Sequence, residues 1–369
     1  MPSNAAAWLD GPKTPLEVRA APYTSPGENE IVVKNAALAI NPVDYLKQDL
    51  GRMVYSWIKY PFVIGTDIAG EVVEVGPGVT RFKTGDRVVS LAIGTMEEYN
   101  ASAKGAFQQY TVALDHMTSP IPSNISYEMA SVLPLGLSTA ACSLFQKDQL
   151  GLDYPSDSSP PESSKKTLLV WGGSTSVGSN AIQLAVAAGY EVITTASSKN
   201  FDNVKKLGAS QVFDYNSKTV VSDIIRAFKD KKTAGAISIG QGSAEACLDI
   251  LHECEGDMFL SMATFPTPPK PYKSFVLLRT VLHIASRLLT NSFTAWSRGI
   301  QTKFIFGYSL VNNGVGKMIF EEFMPKALAE GRYITAPEPY VVGNGLKDIQ
   351  RGFDTLKKGV SAKKVVITL

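Results

Sequence analysis

The sequence predicts an α/β protein of two domains, one mostly β and one a doubly wound parallel sheet flanked by helices. Three observations carry this. Up to about residue 118 the chain reads as short extended runs punctuated by Gly and Pro. From Thr167 onward strand-like and helix-like patterns alternate. Between the first such strand and helix lies a glycine turn, Gly172-Gly173-Ser174-Thr175-Ser176-Val177-Gly178. A chain of 369 residues fits two domains better than one.

In the first part, Glu30-Ile31-Val32-Val33-Lys34, residues 69–76 and Asp86-Arg87-Val88-Val89-Ser90 are the clearest strands, with turns at Gly76-Pro77-Gly78 and Thr84-Gly85-Asp86. Few long helices are expected there. Residues 128–145 read as helical, interrupted by Pro134. Residues 156–164, rich in Ser and Pro, are expected to form an exposed, flexible loop. Strands are then expected at 168–171, 191–195, 211–213, 236–239, 258–262 and 303–306, with helices at 180–188, 200–207, 220–228 and 243–254. Residues 275–289 are apolar but interrupted by Arg279, His283 and Arg287. That run is too short and too charged to cross a bilayer and reads as an amphipathic helix. After a helix at 317–329 the chain returns to extended pieces, the last at 364–369, which are expected to rejoin the N-terminal domain. An active site in the cleft between the domains follows from that arrangement.

The glycine turn is the strongest chemical signal. Glycines at a strand-to-helix turn let backbone N–H groups approach a pyrophosphate, and the helix N-terminus adds partial positive charge. Ser174, Thr175, Ser176 and Val177 are the residues placed to do this. An NAD site usually puts an Asp or Glu about 20 residues further on. Here the second strand ends in Ser197, Ser198, Lys199 and Asn200, three hydroxyl or amide side chains and one cation. That chemistry suits a 2′-phosphate, so the expected cofactor is NADP(H).

Composition narrows the rest. Hydrophobic residues make up 44% and charged residues 19%, and the formal net charge is +2, so no nucleic-acid footprint is present. Cys142, Cys247 and Cys254 are too few for a disulfide framework and read as reduced core residues. Cys247 and Cys254, seven apart on one expected helix, should share a face. The first ten residues lack a basic stretch followed by an apolar run, so a cytoplasmic protein without membrane attachment is expected.

These motifs, in order, resemble the medium-chain dehydrogenase/reductase superfamily, and most of all its zinc-independent quinone oxidoreductases and enoyl reductases. The matching stretches are Asn41-Pro42-Val43-Asp44, the run 61–67, the run 69–76, Gly85-Asp86-Arg87-Val88, Gly105-Ala106-Phe107-Gln108-Gln109-Tyr110, Ser138-Thr139-Ala140-Ala141, the glycine turn, and Asp214-Tyr215. The resemblance covers nearly the whole chain. It implies a GroES-like catalytic domain at residues 1–130 and 312–369 and an NADP-binding Rossmann domain at 131–311. The Ser/Pro loop and the apolar insertion at 275–293 resemble fungal relatives in secondary metabolism, including trans-acting enoyl reductases that serve polyketide synthases.

Zinc members carry a catalytic Cys where this chain has Asn41 to Asp44, and Gly-His-Glu where it has Gly65-Thr66-Asp67. Thr66 cannot replace an imidazole, and no Cys precedes Cys142. No tetrahedral ligand set is therefore expected. By resemblance, Pro42, Val43 and Asp44, Thr139, Tyr215, Met262 and Ala263, and Ser361 and Ala362 join the cofactor contacts. Tyr45 and Lys47 are the candidates for protonating the reduced substrate, although fungal enoyl reductases place their lysine one position earlier, at Leu46 here. Leu133, Leu135, Ser138 and His283 are the substrate candidates, which implies a small hydrophobic substrate or a chain held by a polyketide synthase carrier. The implied activity is NADPH-dependent reduction of an activated C=C bond or a quinone. A carbonyl or imine reductase, and a non-catalytic NADPH-binding protein, are the alternatives. Similar proteins occur as monomers and as homodimers.

Overall fold

The computed structural model describes residues 2–156, 166–268 and 275–369. The chain divides into two units, Met1–Ser138 with Val311–Leu369, and Thr139–Leu310. The Ser/Pro stretch at 157–164 lies outside the described residues.

The first unit opens with β1 (Asn4–Leu9), β2 (Leu16–Ala21), β3 (Glu30–Ala39), α1 (Pro42–Leu50), β4 (Phe62–Val63) and β5 (Asp67–Val75). It continues through β6 (Arg87–Leu91), β7 (Tyr110–Leu114), β8 (Thr118–Pro120), α2 (Tyr127–Ser131) and the start of α3 (Pro134–Phe145). The second unit holds β9 (Thr167–Trp171), α4 (Ser176–Ala187), β10 (Glu191–Ala196), α5 (Phe201–Lys206), β11 (Gln211–Asp214), α6 (Val220–Ala227) and β12 (Lys232–Ser238). It ends with α7 (Ser243–His252), β13 (Glu255–Gly256), β14 (Phe259–Met262), α8 (Val276–Ser297) and β15 (Gln301–Phe304). The chain then returns to the first unit with α9 (Gly314–Lys317), a π-helical stretch Met318–Phe323, α10 (Met324–Ala329), β16 (Glu338–Asn344), α11 (Ile349–Lys357) and β17 (Lys363–Thr368).

In the first unit a seven-stranded sheet runs β16-β17-β3-β5-β6-β8, with β7 also on β3, beside a three-stranded sheet β2-β1-β4. The last strand pairs antiparallel with β3, Val366 opposite Ala39, so the C-terminal segment is part of this unit's sheet. Phe107, Phe353, Ile64 and Ile68 lie at its core, with the Phe107 and Phe353 rings 5.8 Å apart. Gly65 has φ +98°, and a Cβ there would overlap the Phe107 ring. That close approach explains the glycine in the run 61–67.

In the second unit the parallel order is β11-β10-β9-β12-β14-β15. Numbered by sequence this is 3-2-1-4-5-6, the doubly wound dinucleotide-binding order, whose switch point lies between β9 and β12. The neighbouring central strands β10, β9 and β12 are buried along nearly their whole length, as sheets covered on both faces require.

Four expectations need correction. Residues 42–50, expected to be part of a β-rich stretch, form the helix α1: Asn41 is its N-cap, Pro42 stands at its first turn, and Asp44 accepts the Asn41 N–H at 2.9 Å. Its interior face carries charges, so no apolar period betrays it. The sixth strand begins two residues earlier than expected, at Gln301. Helix α7 ends at His252, so Cys254 lies beyond it, although both cysteines pack in the same core. Helix α8 extends to Ser297, and a stripe of it stays exposed, including Leu278, Leu282, Leu289, Phe293 and Trp296.

Candidate active site

The glycine turn follows β9 in the second unit. Gly172 has φ +93°, and a Cβ on Gly173 would overlap Thr194 Oγ1, so both positions demand glycine. Thr175 caps α4 by accepting the Gly178 N–H at 3.0 Å. The other N–H groups of the first turn have no partner within the helix. Ser176 Oγ is buried with no hydrogen-bond partner among the described residues. An orphaned hydroxyl beside free amide donors at a helix N-terminus fits a phosphate group.

Strands β10 and β11 are parallel neighbours with Ala196 opposite Asp214. Their ends therefore bring Ser197, Ser198 and Lys199 next to Tyr215, whose N–H reaches Ala196 O at 3.4 Å. Ser198 and Lys199 are exposed, Tyr215 is 47% exposed, and Asn200 Nδ2 donates to Ser197 Oγ at 3.1 Å. The nearby Asp214 carboxylate is engaged locally by Asn216 N–H and Nδ2, both at 2.9 Å. Met262 ends β14, and Ala263 N–H donates to Ser238 O at 2.9 Å. A small cavity beside Met262 is lined by Gly240, Gln241, Thr264, Leu288 and Phe304. From α8 it receives Leu288 and Asn291; His283 does not line it.

In the first unit, α1 sorts its candidates by face. Asp44 and Lys47, three apart, point inward and are buried. Tyr45 is half-buried on another face, with Lys357 Nζ of α11 5.1 Å from its ring centre. The two proton-donor candidates of the sequence thus leave the helix in different directions. Burial raises the Tyr45 phenol, with Asp49 adding to the effect, so it stays neutral at pH 7. Burial also raises Asp44 to about 7 against the opposing charge of Lys47, and lowers Lys47 to about 8 against Asp44 and Asp67. Asp44 Oδ1 has no hydrogen-bond partner among the described residues. Of the cofactor candidates on this helix, Pro42 is exposed, Val43 partly so, and Asp44 turns inward.

Several neighbours escaped the sequence reading. Tyr55 faces the same charges: Lys47 Nζ lies 5.7 Å from its ring centre, and burial pushes its phenol up to about 12. Asn41, Thr66, Asp67 and Lys364 form a buried network. Asn41 Nδ2 donates to Thr66 Oγ1 and to Asp67 Oδ2, both at 2.8 Å, and Lys364 Nζ lies 2.5 Å from Asn41 Oδ1 and 3.0 Å from Asp67 Oδ2. Leu135 N–H donates to Asp67 Oδ1 at 2.9 Å. The motifs 41–44 and 65–67 were visible in the sequence, but Lys364 sits in a strand where only burial marks it out. Leu133 is fully buried, Leu135 is partly exposed, and Ser138 Oγ is buried without a hydrogen-bond partner among the described residues. Thr139 opens the second unit's share of α3. Ser361 is exposed, and Ala362 takes φ +49° just before β17.

The signature of the alcohol dehydrogenase GroES-like domain matches residues 27–123, and that of zinc-binding dehydrogenases matches 176–302. Dehydrogenase pigH of Monascus ruber is 53% identical over 370 residues, covering all of both chains. The chain belongs to the medium-chain dehydrogenase/reductase superfamily. A trans-enoyl reductase, himH of Aspergillus japonicus, is 36% identical over 99% of this chain and 97% of its own. The mycobacterial protein Rv1454c, solved in complex with NADPH, superposes with a TM-score of 0.69 at 20% identity, covering 100% of both chains. This medium-chain dehydrogenase/reductase is therefore an oxidoreductase with the GroES-like and Rossmann pair of domains.

The family signature raises the question of zinc. A structural or catalytic zinc takes about four N, S or O ligands. In this oxidoreductase Asn41 and Thr66, within the two stretches that carry ligands in zinc members, are hydrogen-bonded to each other, and the Lys364 ammonium stands against Asp67. Among the described residues no group of three or more His, Cys, Asp or Glu could hold a metal ion. The donor set does not fit zinc.

Proposed function

We propose that this protein is an NADPH-dependent, zinc-free reductase of activated C=C bonds or quinones, acting in the cytoplasm. The observation that carries the cofactor reading is the end of β10: Ser197, Ser198 and the exposed Lys199 beside Tyr215, with no carboxylate among them. A 2′-phosphate is matched by hydroxyls and an ammonium, whereas the ribose diol of NADH would call for an acid. The turn at Gly172 to Val177 would hold the pyrophosphate, with Ser176 Oγ as an additional donor. Met262, Ala263, Ser361 and Ala362 are the contacts proposed toward the nicotinamide.

NADPH, when bound, supplies a hydride equivalent. Reduction of an activated alkene then requires a donor at the carbonyl oxygen and, after hydride reaches the β carbon, a proton for the α carbon. The Ser138 hydroxyl, without a hydrogen-bond partner among the described residues, is the proposed carbonyl donor. A neutral phenol, Tyr45 in this proposal, holds the proton on its Oη, and its raised pKa keeps it there at neutral pH. The apolar side chains of Leu133 and Leu135 favour a small hydrophobic acceptor. The trans-enoyl reductase relative supports an enoyl group as that acceptor, either on a free molecule or on an acyl chain held by a polyketide synthase carrier. Comparing free with carrier-bound thioesters separates the two, and equal rates would remove the need for a carrier.

Steady-state turnover of an enone with each dinucleotide tests the reading. Loss of one charge-assisted hydrogen bond corresponds to a preference for NADPH of roughly ten- to hundredfold in kcat/KM. Equal use of NADH, or preference for it, would contradict it.

A further inference from the structure

We infer that Asp67, held by the Lys364 ammonium, is a positioning residue that fixes the starts of α1, α3 and β17 relative to one another. The Asp67 carboxylate is fully buried and is shared by three donors from three distant parts of the first unit. Oδ1 accepts the Leu135 N–H at the start of α3, while Oδ2 accepts Asn41 Nδ2 from the N-cap of α1 at 2.8 Å and faces Lys364 Nζ of β17 at 3.0 Å. Lys364 closes the ring by donating to Asn41 Oδ1 at 2.5 Å.

Each tied segment carries residues of the proposed site. Tyr45 lies four positions after Asn41, Leu135 and Ser138 lie in the first turns of α3, and Ser361 and Ala362 immediately precede β17. A buried ion pair gives little net stability over apolar side chains of the same volume. What this one provides is direction: two oxygens and three donors define where three segments begin. The Asn41–Thr66 hydrogen bond occupies the space between positions that carry ligands in zinc members.

Native-state hydrogen exchange on the full chain tests this without relying on turnover. In Lys364→Met, exchange should accelerate on the order of tenfold or more in peptides covering 41–46 and 133–138, more than 200 residues away in sequence, while the second unit is unchanged. Lys364→Arg should restore most of the protection. If Lys364→Met does not fold, Asp67→Asn replaces it: the amide loses the charge that Lys364 holds in place, so 41–46 and 133–138 should loosen as in Lys364→Met. Loosening confined to 361–366, or an Arg variant no better than Met, would overturn the inference. So would stoichiometric zinc in the purified protein that Asp67→Asn removes. The kinetic arm rests on the function proposed above. There kcat should fall by up to about a hundredfold while the preference for NADPH over NADH, set by residues of the second unit, is unchanged. An unaltered kcat in a loosened Lys364→Met would also overturn it. A wild-type protein inert toward enones would count against the proposed function and leave the exchange result to decide the inference.

Discussion

Asp44 and Lys47 show how one turn of helix sets two proton affinities. Burial raises the Asp44 carboxyl from 3.8 to about 7, so the folded protein binds its proton more tightly than the unfolded chain does. Folding stability from this group is then fully present at low pH and is lost as pH rises from about 4 to about 7. Asp44→Asn removes that dependence. Denaturant unfolding of both proteins across this range should show wild type losing stability relative to the variant as pH rises; a constant difference would contradict the assignment. The phenols make a second residue-scale prediction. Tyr45→Phe should lower kcat about 10²-fold or more at unchanged KM for NADPH if its Oη delivers the proton. An unaffected Tyr45→Phe with a crippled Tyr55→Phe would move that role to Tyr55, which lies beside Lys47 and Asp44.

At the scale of elements, the turn after β9 and the end of β10 were legible in the sequence because each rests on residue types the backbone itself demands. Gly172 needs positive φ, Gly173 cannot carry a Cβ, and the missing acid after β10 is read directly. Gly173→Ala should lower stability by about 1–3 kcal/mol through overlap with Thr194 and Ile182, measurable as a fall in Tm. Lys199→Ala with Ser198→Ala should raise KM for NADPH by roughly tenfold or more while KM for NADH stays put; equal effects on both would detach these residues from the 2′-phosphate. Helix α1 was not legible, because its inward face presents Asp44, Lys47 and Gln48 rather than an apolar stripe. The pairing of Asp67 with Lys364 was hidden for a different reason: the two lie 297 positions apart and meet only because β17 pairs with β3, which in turn pairs with β5.

For the whole molecule, the alternation of strands and helices after Thr167 was enough to read the parallel sheet, and the strand order 3-2-1-4-5-6 follows from right-handed crossovers on both sides of β9. The identity of the acceptor was not, because the proposed substrate residues Leu133 and Leu135 are apolar side chains that specify size and little chemistry. The proposed reaction delivers hydride to carbon of an activated double bond without a metal. Turnover of an α,β-unsaturated thioester with NADPH deuterated at C4, in the presence of a zinc chelator, measures this directly. Deuterium at the carbon β to the carbonyl, at an undiminished rate, is the expected result. Deuterium on a carbinol carbon, or activity abolished by the chelator and restored by zinc, would contradict it.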